Sequence, residues 1–468
     1  MEKNTTNASR RDFVKKATLL SSLPFVSSFG ILKNFQGEKV RLACIGIGNQ
    51  GGNDVMSMSK TGLAEFVAFC DVDMGASQTL PVLQKFPDVP RFQDYRVMFD
   101  KMGKDFDAVL IGVPDHSHFP ITMHALKSGK HVFVEKPMAR TFQEIEIMMA
   151  AAKKNPKLVT QMGNQGHSEG NYFQFKAWKE AGIIKDITAM SAHMNSPRRW
   201  HGWDTTIKSF PAAESIPSTL DWDLWHGVVQ KHDYNKDFVN GQWRCWFDFG
   251  LGALGDWGAH LMDTAHEFLE LGLPTNINML RADGHNSFFY PQSSTIQFKF
   301  AARKDMPAMD ITWYDGINNL PPLPDNFGNS ALDPNIPAAS NGKIQSSNLN
   351  PGKIIYGKEL TFKGGSHGST LSILGDSAKD LKLPEVPVSP SNHYANYLKA
   401  CLGQEKTRSP FSIAGPLSQV FSLGVIAQKF NAQLDFDPKK KQITNHKEAN
   451  MMLQGPAPRK GWESYYEL

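Results

Sequence analysis

From Val40 onward the chain alternates short, unbroken apolar runs with stretches whose apolar residues recur every three or four positions. The runs VRLACIGIG, AEFVAFCDVD, DFDAVLIGVP, KHVFVEKP and KLVTQMG read as strands buried on both faces. Between them NDVMSMSK, FPITMHALKSG and TFQEIEIMMAAAKKN have helical spacing. This alternation predicts βαβ units and a doubly wound parallel sheet over residues 38–160. After Gly163 the pattern becomes mixed. NYFQFKAWKEAG reads as a helix ending at Gly182, and DITAMSAHMN alternates as a strand. GALGDWGAHLMDTAHEFLELG is helical throughout, which places Asp256, His260, Asp263 and His266 along one face. STIQFKFAARKDMPAMDITWYDG predicts two alternating strands joined by a turn at Lys304–Pro307. Residues 316–352, rich in Pro and Asn, read as a long loop, and helical spacing returns in SNHYANYLKACLG and GPLSQVFSLGVIAQKF. The expected class is therefore α/β plus α+β. The second region, 161–468, carries a largely antiparallel open sheet, C-terminal helices and a tail.

Composition narrows the function. The 468 residues are 41% hydrophobic and 21% charged, enough for two or three sizeable cores. The net charge of +4 lies entirely in residues 1–37, which hold six Lys/Arg and two acids; the remainder carries 44 of each sign. Nothing in that balance points to nucleic acid or an anionic membrane. The four cysteines have no zinc-finger spacing. Residues 1–37 contain SRRDFVK and then a weakly apolar run, Ala17–Leu32, too short for a stable membrane span. A basic segment before such a run has the form of a secretory signal, and the twin arginine makes it resemble a Tat signal. The expected location is periplasmic or otherwise exported, with no membrane span once the signal is removed. The rival reading is a disordered basic tail.

The first strand ends in G-x-G-x-x-G: Gly46, Gly48 and Gly51, with Asn49 and Gln50 between them. Such glycines permit a tight turn, approach of backbone to a pyrophosphate, and close packing of the next helix. Asp71 ends the second strand, where a carboxylate bonds ribose hydroxyls and repels a 2′-phosphate, favouring NAD over NADP; Asp73 is the fallback. Downstream come VPDHSH and Glu135-Lys136-Pro137 at two strand ends, and later D-x-x-x-H at Asp256 and His260. With these three motifs in order, from about residue 38 to at least 300, the chain resembles the Gfo/Idh/MocA oxidoreductases. The first region would then be a Rossmann domain.

The resemblance implies a set of roles. Pro114 and Asp115 border the cofactor, Glu135 holds the nicotinamide ribose, and His118 and Gln165 join the cofactor-binding set. Lys136 touches the substrate hydroxyl. Asp256 and His260 lie beside the nicotinamide, with His260 as general base and Asp256 orienting substrate or tuning the base. His116 and His118 carry a second reading: one could shape the site, but a loop histidine is more often a solvated or capping residue. A metal held by Asp256, His260, Asp263 and His266 is the rival reading; none is expected. Seven of the ten tryptophans fall between Trp200 and Trp257, among polar neighbours. Most would be core; one or two would form a platform for a sugar ring. Arg199, Trp200, Arg244 and Trp246 join Lys136, Asp256 and His260 as the expected substrate contacts. The family's sheet often pairs with that of another subunit, so a homo-oligomer, dimer or tetramer, is expected. The activity expected is oxidation of a sugar or glycoside hydroxyl, C3 among the positions, with NAD tightly bound and recycled in place. The rivals are a redox-neutral NAD-dependent glycosidase and a non-catalytic sugar-binding protein.

Overall fold

A computed structural model describes residues 39–194, 204–316, 318–324, 327, 349–375 and 381–468. The signal-like segment, Arg199 and Trp200 lie outside the described residues. In the first half the order is β1 (Val40–Ile45), α1 (Asn49–Lys60), β2 (Ala64–Cys70), α2 (Leu80–Lys85), β3 (Arg91–Phe92), α3 (Tyr95–Met102), β4 (Ala108–Ile111), α4 (Asp115–Lys127), β5 (His131–Val134), α5 (Phe142–Lys154) and β6 (Thr160–Met162). The sheet is six-stranded and parallel, in the order β3-β2-β1-β4-β5-β6. β1, β4 and β5 form its centre, and their apolar side chains are buried because helices cover both faces. Thr141 and Glu144 close a capping box at the start of α5. The sequence pattern did not reveal α2, β3 and α3, a six-residue helix, a two-residue strand and an eight-residue helix.

The second half begins with a 3-10 turn, Gln165–Ser168, and α6 (Gly170–Glu180), then β7 (Ile187–Met194), α7 (Trp222–His226), α8 (Gly252–Leu261) and α9 (Asp263–Phe268). It continues through β8 (Asn276–Asp283), β9 (Ser293–Phe300), β10 (Met309–Gly316), β11 (Gly352–Gly357), β12 (Thr361–Gly364), β13 (Ser372–Ile373), α10 (His393–Cys401), α11 (Phe411–Phe430), β14 (Leu434–Asp437), β15 (Gln442–Ile443) and α12 (Lys447–Met452). Nine strands form one sheet, β13-β12-β11-β7-β10-β9-β8-β14-β15. It is antiparallel except where β10 runs parallel to β7. The predicted hairpin is present as β9 and β10, with a turn bridged between Arg303 and Met306.

One expected element is corrected. The stretch from Gly252 to Phe268 is two helices, not one: α8 stops at Leu261 and α9 starts at Asp263. Asp263 and His266 meet other partners than Asp256 does.

α11 is apolar all round because it is buried all round. It has the length and hydropathy of a membrane span, yet 78% of its most apolar window is inside the protein. Its first half packs on α5, where Met149 meets Gly415; its second half meets Leu254 of α8 and Phe298 of β9 at Gly424. Both sheets therefore contribute to one continuous core.

Candidate active site

The site is a cavity of 610 Å³ at the carboxyl ends of the parallel strands, where ligands of open α/β sheets bind. One wall is the turn between β1 and α1. Gly46 has φ of +79°, and a Cβ there would lie 2.6 Å from the Gly112 carbonyl oxygen. A Cβ on Gly51 would lie 2.0 Å from the Gly46 carbonyl oxygen, so neither position admits a side chain. Gly48, Asn49 and Gln50 also line the cavity, at the end of α1 where backbone N–H groups lack helical partners. Asp71, in the same wall, accepts the Ile47 N–H on Oδ2 at 2.9 Å and the Asp73 N–H on Oδ1 at 3.0 Å. It thus pins the glycine turn, and desolvation raises its carboxyl to about 6. Asp73 also lines the cavity and accepts the Thr219 hydroxyl at 2.7 Å. A glycine cradle for a pyrophosphate beside carboxylates for ribose hydroxyls fits the adenosine half of NAD.

The other end of the cavity carries the reactive groups. Pro114, Glu135 and Lys136 come from the ends of β4 and β5; Arg244 and Asp256 come from the second half. Lys136 Nζ lies 3.0 Å from Asp256 Oδ1, and both side chains are buried. Arg244 sits 3.5 Å from Asp256 Oδ1 on one side and 3.5 Å from Asp115 Oδ1 on the other. Its guanidinium is 4.2 Å from the centre of the Trp243 ring. Asp115 is wholly buried, accepts the Leu251 N–H at 3.1 Å, and is raised to about 6 by desolvation, which the Arg244 charge opposes. It holds Arg244 and the start of α8 from beneath. Glu135 Oε1 accepts from Gln165 Nε2 at 2.9 Å, and its Oε2 accepts the Lys136 N–H at 3.2 Å. Gln165 is therefore placed to orient Glu135.

Other expected site residues stand elsewhere. His118 is buried between two backbone carbonyls, Pro137 at 2.7 Å and Val113 at 2.8 Å, and desolvation lowers its ring to about 4. It ties the Glu-Lys-Pro turn to the end of β4. His116 does the same between Trp225 and Phe249, with its ring lowered to about 3 by burial. Trp246 is in the core, its Nε1–H donating to the Asp237 carbonyl at 3.0 Å. Trp225 and Trp243 are the tryptophans of that cluster that reach the cavity among the described residues, along with Trp462 from the tail.

His260 lies one helical turn beyond Asp256 and stacks on His367, ring centres 3.9 Å apart; among the described residues it is not part of the cavity lining. Asp263 bonds His167 at 3.2 Å, and His266 bonds the Gly272 carbonyl at 2.9 Å. The four side chains of the rival metal reading thus face different partners. Two residues beneath the cavity escaped sequence reading, Asp54 and Tyr394. Asp54 sits one turn after Gln50 on α1, a spacing that signals contact; Tyr394 lies in α10 and carries no sequence signal at all.

Two family models match. Residues 40–162 match an oxidoreductase-family NAD-binding Rossmann fold, and residues 188–285 match an oxidoreductase-family C-terminal alpha/beta domain. Inositol 2-dehydrogenase of Salmonella typhimurium is 26% identical over 200 residues, covering 42% of this chain and 56% of that protein. The match thus spans little more than half of that relative's own length. Alpha-N-acetylgalactosaminidase of Shewanella oneidensis is 31% identical over 134 residues, 27% of this chain and 29% of that one. Among solved structures, the WlbA dehydrogenase from Chromobacterium violaceum, in complex with NADH and UDP-GlcNAcA, superposes with a TM-score of 0.57 at 15% identity, covering 86% of this chain and 98% of that one. That likeness is one of fold. The glycine turn, the Glu-Lys-Pro strand end and the two matched domains lead to one conclusion: the chain belongs to the Gfo/Idh/MocA oxidoreductase family.

Proposed function

We propose that this chain is an exported NAD-dependent oxidoreductase that acts on a hydroxyl of a sugar or glycoside, with C3 of a pyranoside among the positions, and keeps its cofactor through the cycle. The observation that carries this reading is the Lys136–Asp256 pair, 3.0 Å apart, in the cavity that the glycine turn also lines. Gly46, Gly48, Gly51 and Asp71 would hold the adenosine half of NAD, and Glu135 the nicotinamide ribose. Bound there, NAD supplies the acceptor for the electron pair leaving the substrate carbon. Lys136 donates a hydrogen bond to the substrate oxygen and stabilises the charge that grows on it; Asp256 fixes the ammonium. Arg244 offers further donors to neighbouring hydroxyls. His260, one turn along α8 from Asp256 and, among the described residues, outside the cavity lining, is kept as the acceptor of the hydroxyl proton on the family resemblance alone.

Export rests on SRRDFVK. A Tat route carries folded proteins, so the chain would leave with NAD already bound. Outside, spent cofactor has no pool to exchange with, which favours regeneration in place by a second substrate. The test has two arms. Purified protein is denatured and any released dinucleotide identified; holoprotein is then incubated with a glycoside panel while nicotinamide absorbance is followed. A protein that never carries NAD sinks the proposal. Fractionation of cells making the Arg10→Lys, Arg11→Lys variant tests export, with retention in the cytoplasm expected. Assembly into a homo-oligomer through the nine-stranded sheet is checked by light scattering.

A second reading is favoured by the likeness to an alpha-N-acetylgalactosaminidase. Transient oxidation acidifies the adjacent C–H, the aglycone is eliminated, water adds to the resulting double bond at the carbon that carried the aglycone, and re-reduction of the carbonyl returns the sugar to its starting oxidation state. A released aglycone with an unoxidised sugar identifies this chemistry.

A further inference from the structure

Beneath the cavity two carboxyl groups face each other, and among the described residues neither makes an ion pair. Asp54, on α1, is 0% exposed, and Glu135, at the end of β5, is 2% exposed. Asp54 Oδ1 accepts two hydrogen bonds, from Gln50 Nε2 and from the Tyr394 hydroxyl, both at 2.8 Å. Asp54 Oδ2 is buried with no donor in reach among the described residues. Its carboxyl instead lies within hydrogen-bonding reach of the Glu135 carboxyl. Both oxygens of Glu135 are already engaged by N–H donors, from Gln165 and from Lys136. Two ionised carboxylates offer only acceptors to each other, and burying such a contact is severely unfavourable. One proton between them converts the clash into a charge-assisted hydrogen bond.

We propose that Asp54 is a positioning residue that carries this proton at neutral pH, donates it to Glu135, and so holds the Glu135 carboxylate in the orientation that takes the cofactor ribose. The distribution of neighbours says which partner keeps the proton. Glu135 has two N–H donors and the charges of Lys136 and Arg244 nearby; Asp54 faces Glu135, the Tyr394 hydroxyl and the buried Cys44 thiol, none of them a cation. Burial and the Glu135 charge push the Asp54 carboxyl well above the usual range. Tyr394 and Gln165 also bond each other at 3.2 Å, closing a ring of side chains drawn from α1, β5, the 3-10 turn and α10. The consequence is a cofactor grip that weakens in alkali. When Asp54 ionises, the second carboxylate repels Glu135 and turns it from the ribose.

The inference rests on the reading of the cavity as the NAD site, and the experiment separates the two. NAD affinity of the apoprotein is measured by calorimetry from mildly acidic solution to about pH 10, for wild type, Asp54→Asn and Asp54→Leu. Asparagine keeps a donor toward Glu135 and an acceptor toward Gln50 and Tyr394 but cannot ionise. Wild type is expected to lose affinity as pH rises, with Asp54→Asn restoring a flat profile. Asp54→Leu should bind on the order of tenfold more weakly at neutral pH, as loss of a buried bond to a charged group implies. An alkaline loss in Asp54→Asn equal to that of wild type overturns the proposal, as does a wild-type profile that stays flat. Infrared difference spectra of apo wild type minus Asp54→Asn give an answer independent of cofactor. A carboxylic acid C=O band at neutral pH is expected, and its absence overturns the proposal even if NAD never binds.

Discussion

His167 supplies a prediction whose size follows from the structure. The imidazole is buried in the 3-10 turn after β6, between Asp263 at 3.2 Å and Glu267 at 2.5 Å. Those bonds outweigh the cost of burial and raise the ring from 6.5 to about 9, while Asp263 is lowered by the same contact. A group raised on folding stabilises fully below its unfolded value. Here that contribution is whole below pH 6.5 and disappears as pH climbs through about 9. The rise corresponds to about 3 kcal/mol, and burial of the ring and of Asp263 leaves little solvent to screen it. His167→Gln keeps a donor but removes the charge, so two carboxylates remain around a neutral group. Urea unfolding of both proteins at acidic, neutral and alkaline pH measures the gap between them, which cancels other titrations. The gap should be about 3 kcal/mol near pH 6 and should shrink toward pH 10. A gap that is constant with pH would mean that His167 is neutral in the fold and that the ion triad reading is wrong.

Three further substitutions probe the site and the core. Lys136→Ala should retain NAD on gel filtration while turnover falls by about 10²- to 10⁴-fold; equal loss of both would implicate the fold instead. Gly51→Ala places a methyl 2.0 Å from the Gly46 carbonyl oxygen and should weaken NAD binding about ten- to hundredfold, read by calorimetry; unchanged affinity would show that the turn is not the cradle. Trp246→Ala should cost about 3–5 kcal/mol in urea unfolding with NAD affinity retained, since its ring is packed against Phe238 and Phe289; a selective effect on substrate KM would put that ring back in the site.

The parts of this site that were legible are those whose chemistry is local in sequence. β1, β4 and β5 stand out because strands buried on both faces must be unbroken apolar runs. The glycine turn stands out because each glycine answers a steric demand within a few residues. Lys136 and Asp256 were each visible, though their 3.0 Å contact joins positions 120 residues apart. Trp246 misled because its polar neighbours belong to irregular backbone, where side-chain polarity says little about which way a ring points. His260 is assigned to the site by the family's D-x-x-x-H motif, and no local pattern shows that its ring stacks on His367, one turn along α8 from Asp256. Asp54 is signalled only by its four-residue spacing from Gln50, and its bond to Tyr394, across 340 residues, leaves no signal in the sequence. β12 to β15 are two to four residues long and only partly buried, so their alternation is too brief to separate from loop.

The way the chain returns on itself bears on how such a cavity exchanges its contents. Lys136 and Glu135 belong to the parallel sheet, Arg244 and Asp256 to the second half, and a hinge between the two would open the cavity between them. α11 stands against that motion. Met149 of α5 meets it at Gly415, Phe421 lies against Gly258 of α8, and Phe298 of β9 lies against Gly424. Rotation of the first half away from the second would strip α5 from α11 and take apolar surface such as Met149 back into water, at about 1.5–3 kcal/mol for each side chain so exposed. The tail adds a second tie: the Tyr466 hydroxyl donates to Glu144 of α5 at 2.8 Å, while Arg459 in the same tail donates to the Gly227 carbonyl at 2.9 Å. Entry and exit must then depend on local movement at the cavity rim rather than on separation of the two sheets. Slow exchange of the dinucleotide is the outcome expected of that geometry, and rapid displacement of bound cofactor by labelled NAD would count against the proposal that it is regenerated where it sits.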